Sequence, residues 1–173
     1  MDPAAFYDYL VRARRDLFAR LAELPPEFLS RRLLHGQRLH CIKDLLFHMA
    51  AVEDDWLHCD ILRTDPVVLS FQGRLPIEDG PAYADVPLEL LKTYWEAVEQ
   101  RMRAFLADYT PARAGAVVQL HDDPSKHFRT DGIVWHVMTH EVRHSAQIAL
   151  LLRTEGHAPP KLDLYYYLPN EPA

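Results

Sequence analysis

His136, His140 and His144 recur at four-residue intervals in one segment of the chain. At about 100° per residue they fall on a single stripe of a helix. Ile133, Val137, Gln147, Ile148 and Leu151 lie within roughly 60° of the same direction, whereas Glu141, Arg143 and Arg153 fall outside it. Histidine therefore stands where an amphipathic helix carries Leu or Ile. A buried imidazole costs free energy unless its nitrogens find partners. One such histidine is ordinarily a hydrogen-bonded core residue; several together point to a metal ion, the one partner that satisfies them all.

Spacing limits how such an ion is held. Residues at i and i+4 have Cβ atoms about 5–6 Å apart, so His136/His140 and His140/His144 each suit one ion. His136 and His144 are roughly 12 Å apart along the axis, so a third ligand comes from elsewhere. His48 is the best candidate, because its neighbours Phe47, Met49, Ala50 and Ala51 give no surface reason for a polar residue there. His140, Glu141 and His144 also satisfy the short metalloprotease pattern H-E-x-x-H, in which the Glu is a general base. Such an enzyme takes another ligand well downstream. Glu155 is three turns on along the same helix and Glu171 sits in a Pro-rich tail, so a hydrolase of that kind is the weaker reading. His35, His121, His127 and His157 read as loop or helix-end residues, and His40 and His58 as surface.

Four amphipathic stretches must position these residues. The first opens at Asp2-Pro3, a cap followed by a first-turn proline, carries Phe6, Leu10, Ala13, Leu17 and Leu21 inward, and stops at Pro25-Pro26. The Arg12/Arg14/Arg15 cluster on it reads as a solvated face. The second covers about residues 41–62, with a weak start signal and a seam of Ile42, Leu45, Met49, Val52 and Trp56. The third follows Pro87, carries Leu91, Tyr94, Trp95, Val98, Met102 and Phe105, and ends before Thr110-Pro111. The fourth begins near Thr130-Asp131 and ends at Gly156, a natural C-terminal cap. Residues 63–86, with Pro66, Gly73, Pro76, Gly80 and Pro81, form a connection longer than loops usually are without a function. A short strand is expected in the run from Ala116 to Leu120. The fold class is all-α: one domain over residues 1–173, a four-helix bundle with long crossover connections. Leu45, Met49, Trp95, Met102, Ile148 and Leu151 are its expected buried seam.

Composition narrows the function. A net charge of −6 argues against a nucleic-acid surface, and no apolar run reaches the roughly 18 residues of a membrane span. The two cysteines, Cys41 and Cys59, are about 27 Å apart on one helix, too far to pair, and so few thiols suit a cytoplasmic location.

The pattern resembles the DinB/YfiT-like family of metalloenzymes. That family's closing helix has the form H-x3-H-E-x2-H-x-G-Q, followed by R-x-x-G, paired prolines and an aromatic segment. Here the matching residues are His136, His140, Glu141, His144 and Gln147, then Arg153 and Gly156, Pro159 and Pro160, and Tyr165-Tyr166-Tyr167. Leu46, His48 and Glu53 match its L-x-H-x4-E stretch. One departure is Ala146, where the family often has Gly. The resemblance implies one divalent metal ion, zinc or nickel, on His48, His140 and His144, with His136 the alternative ligand. It also implies a homodimer and a small-molecule thiol as substrate, since some relatives are thiol-dependent transferases or isomerases.

Three neutral imidazoles leave a metal open positions for water or thiol. The inner faces of the first and third helices, read as Phe6, Leu10, Ala13, Leu17 and Leu91, Trp95, Val98, Met102, supply no His, Cys, Asp or Glu to close the shell. Glu53, Glu141 and Gln147 are candidates to accept the second N–H of a ligating imidazole, although a solvated helix face is the plainer expectation for the two glutamates. Gln147 is expected to be buried, and the three tyrosines to pack on the bundle. The alternative to an enzyme is a metal-braced interaction or dimerisation module, marked by a closed ligand shell.

Overall fold

Asp2 caps α1 (Pro3–Ala22) by accepting from the Ala5 N–H at 3.2 Å. A short helix, α2 (Pro26–Ser30), follows the first proline pair. The long second helix begins as α3 (Ile42–Asp55) and widens into a π-helical segment over Trp56–Leu62. The third and fourth long helices are α4 (Leu88–Ala107) and α6 (Thr130–Thr154). Between them lie a single turn, α5 (Pro111–Gly115), and a hairpin of β1 (Val117–Gln119) and β2 (His127–Arg129), antiparallel with Val118 opposite Phe128. The computed structural model describes residues 2–36, 38–76 and 83–169; Gly80, Pro81 and Glu171 lie outside them.

α1 and α3 each pack against both α4 and α6 and so stand at opposite corners of a four-helix bundle. The steps from α1 to α3 and from α4 to α6 cross the bundle diagonally, whereas the connection over residues 63–86 joins the neighbouring α3 and α4. Gly156 takes φ +83° just beyond α6, the left-handed turn expected there. No helix among the described residues is long and apolar enough to cross a membrane.

The core has two apolar halves. Leu17, Leu45, Met49, Trp95 and Ile148 belong to one, and Leu10, Leu57, Met102, Val137 and Met138 to the other. Each long helix places a charged residue between its two sets: Arg14, Glu53, Glu99 and Glu141, all buried. Arg14 is thus no solvated arginine, and the glutamates are not on a wet face. The inner faces of α1 and α4 carry ionisable groups after all, but these engage one another. Arg14 donates to Glu141 at 2.7 and 2.9 Å and to Glu53 at 3.1 Å, and lies over the Trp95 ring at 4.1 Å. Trp95 Nε1 and the Tyr7 hydroxyl also donate to Glu53. A charge this deep is tolerated only when paired and hydrogen-bonded.

Glu141 faces the core because the buried stripe of α6 is rotated from the histidine direction. Its inward residues include Val134, Met138, Glu141, Ile148 and Leu152, whereas Leu151 is half-buried and Gln147 exposed. Five of the six expected seam residues are buried; Leu151 instead lines a cavity. The same rotation on α3 buries Leu46, Ala50, Glu53 and Leu57 and leaves Val52 and Trp56 half-buried. His58 is 4% exposed rather than on the surface, because its Nδ1 sits 2.8 Å from the buried Asp54 carboxylate.

The described parts of the connection over residues 63–86 are anchored to α3. Asp54 accepts from the Val67 and Val68 N–H groups at 2.9 and 2.8 Å, pinning a 3₁₀ turn (Val67–Phe71), and from the Tyr94 hydroxyl at 2.9 Å. Phe47 stacks on Tyr83 with ring centroids 3.7 Å apart, and Lys43 holds the Ala84 carbonyl at 2.8 Å. The start of α3 is fixed by Asp44, whose carboxylate accepts from His40 and Cys41 N–H at 2.8 and 3.1 Å. Cys41-x-x-Asp44 is thus a capping box with an unusual first residue.

Candidate metal centre and its cavity

His140 and His144 come from successive turns of α6 and His48 from the facing turn of α3. His140 Nε2 lies 3.1 Å from His48 Nε2 and 3.0 Å from His144 Nε2. The three rings stand edge to face, with centroids 4.3 to 5.0 Å apart. His140 is buried and the other two half-buried.

The electrostatics keep these rings neutral. Burial, then repulsion from His144, His48 and His136, lowers the His140 pKa to about 3. Burial, with His144 and Arg38 adding to it, lowers His48 to about 4. His144 is lowered by burial too, although its bond to Gln147 opposes the shift. That bond, from His144 Nδ1 to Gln147 Oε1, is 2.6 Å long. An amide oxygen only accepts, so Nδ1 carries the proton and the lone pair of Nε2 faces the other rings. Three neutral imidazole nitrogens converging this closely are a donor set that fits a divalent ion.

His136 lies outside this triad. It is exposed, tilted against Trp56 at 5.2 Å, and its ring centroid is 5.9 Å from that of His140. Of the three candidate acceptors, Gln147 bonds a clustered imidazole, although it does so from an exposed position. Glu53 and Glu141 turn to Arg14 instead. Both Glu141 oxygens are engaged by that guanidinium, so the carboxylate that an H-E-x-x-H hydrolase uses as a base points into the core.

A cavity of about 1000 Å³ opens beside the triad. His48, His144 and Gln147 form part of its wall, Phe47 and Leu151 supply apolar surface, and Arg38 contributes a cation. The tyrosine run is elsewhere. Tyr167 packs on α1, donating to Asp16 at 2.6 Å, while Tyr165 is 76% exposed.

Sequence reasoning missed the polar contacts of Tyr7, Arg14 and Asp54, and of Trp95 it showed the burial but not the bond to Glu53. A buried Arg beside two glutamates leaves no trace in hydrophobic periodicity, which scores it as a polar break. The Cys41-x-x-Asp44 spacing was a usable signal for the start of α3.

The family model described as the DinB family matches residues 1–172. No curated protein matches the chain.

Proposed function

Because the chain belongs to the DinB family, we propose that it is a metal-dependent enzyme in which His48, His140 and His144 hold one divalent ion, zinc or nickel, for use on a small thiol or water. One observation carries this reading: the three ligand atoms lie within 4.8 Å of one another, and two of their residues, His48 and His144, line a cavity of about 1000 Å³. When bound, such an ion lowers the pKa of a coordinated water or holds a thiol as its thiolate.

The protein's own residues supply the rest. Burial lowers the pKa of all three imidazoles, and repulsion from neighbouring rings adds to this at His48 and His140, which favours the lone-pair form. Gln147 fixes the His144 tautomer. Phe47 and Leu151 give the cavity apolar surface, which favours the uncharged part of an electrophilic substrate. Among the described residues the cluster offers three donors and no fourth, so an ion held there would keep a position for substrate, as catalytic sites require.

The test is a panel of low-molecular-weight thiols and electrophiles assayed with metal-loaded protein. Thiol transfer, isomerisation or hydrolysis that disappears in His140→Ala and persists in His136→Ala is the expected result. Equal turnover by chelator-treated protein would overturn the reading.

A further inference from the structure

A second set of donors lies farther along the same cavity, at the end of α3. Asp55, seven residues beyond His48 and so about 10 Å along the helix, lines that cavity together with Asp122. Cys59 follows one turn later, in the π-helical segment. His121 comes from the connection between β1 and β2. One ligand atom from each of Asp55, Cys59 and His121 lies within 4.8 Å of the others.

The placement of His121 is specific. Asp60, 2% exposed, accepts from the His121 backbone N–H at 2.8 Å and pairs with its Nδ1 at 3.2 Å. Donating from Nδ1 to a carboxylate leaves the Nε2 lone pair outward, and Nε2 is 3.7 Å from Asp55 Oδ1. A buried carboxylate that orients a histidine in this way is the arrangement found behind metal-ligating imidazoles. On the other side, the Cys59 thiol bonds Asp55, and Asp60 and Asp122 add negative charge around Asp55. π-helical turns of this kind recur at functional sites.

We propose that Asp55, Cys59 and His121 form a second divalent-metal site, of zinc or cobalt(II) chemistry, that ties the π turn of α3 to the hairpin connection. A thiolate, an imidazole and a carboxylate are a borderline-soft donor set, which selects these ions over calcium or magnesium. Zinc-type bonds of about 2.0–2.3 Å put neighbouring donors within about 4 Å of one another, so the observed cluster closes by small side-chain movements. Binding exchanges the Cys59 S–H proton for a metal–sulfur bond and releases that proton to solvent. The proposal does not depend on the histidine triad.

Titrating the untagged full-length protein with cobalt(II) separates the two sites, because only a cysteine ligand gives a thiolate-to-cobalt absorption band in the near ultraviolet. The band is expected in the wild type and in the His140→Ala/His144→Ala double variant. It should vanish in Cys59→Ser and persist in Cys41→Ser. Asp60→Asn should keep the band while weakening cobalt binding about tenfold. Absence of the band at excess cobalt in the wild type, or its survival in Cys59→Ser, would overturn the assignment. The wild-type spectrum decides the matter even where a variant fails to fold.

Discussion

The side-chain oxygen of Gln147 accepts from His144 Nδ1 at 2.6 Å, and this bond decides which nitrogen His144 turns toward His140 and His48. Gln147→Leu removes the acceptor and frees the ring to take the other tautomer. Metal affinity is expected to fall by about 10-fold or more, measured by competition with a chromophoric chelator. Gln147→Glu, which keeps an acceptor, should retain most of it. Equal affinity in Gln147→Leu would show that the bond does not orient the ligand.

Arg14 holds the charged layer of the core together, since it bonds both Glu53 and Glu141. Arg14→Leu leaves two buried carboxylates without their cation. Removing one partner of such a network costs about 3–5 kcal/mol, read as a lower urea midpoint. A loss below about 1 kcal/mol, the range of a surface pair, would mean that Arg14 is not buried as described.

Protonation of the triad gives a pH test. In the metal-free protein His140 is held down to about 3 and His48 to about 4, against about 6.5 in the unfolded chain. Between those values the unfolded state binds more protons, so stability rises with pH and falls as pH is lowered. Metal-free protein should therefore lose stability from about pH 7 to pH 5, above the range where most carboxylates titrate. His58 is shifted upward by its bond to Asp54 and acts in the opposite sense. Comparing urea midpoints of the wild type with His140→Leu isolates the triad, and the variant should show the shallower dependence. An identical slope in the two proteins would contradict the assignment.

Removing the metal should leave the bundle standing. Two apolar clusters fill the core without any contribution from the three histidines. Chelator-treated protein is expected to keep its helical circular dichroism and a single cooperative melt. Unfolding on chelation would favour a structural metal over a catalytic one.

The sequence carried the bundle and the His48, His140 and His144 cluster further than it carried their surroundings. Helix starts and stops followed from local rules: Asp2 with Pro3, and Gly156 before paired prolines. The inward stripe of α6 lies one step from the histidine direction, because His136 is exposed and His144 lines a cavity, so Leu152 takes the buried place expected of Leu151. The charged layer was hidden for a different reason. Arg14, Glu53, Glu99 and Glu141 are spread over 127 residues of chain and bury one another only after folding, so no local pattern marks them. His58 is buried against Asp54, one turn back on its own helix, whereas His121 is exposed as expected and its link to the buried Asp60 shows itself only through a tertiary contact.

Metal content tests the central claim most directly. Untagged protein purified without chelator should be analysed for divalent metals in a Cys59→Ser background, so that the thiolate site does not contribute. One ion per chain is expected there, and none when His140→Ala and His144→Ala are added. Undiminished metal in that variant would contradict the account.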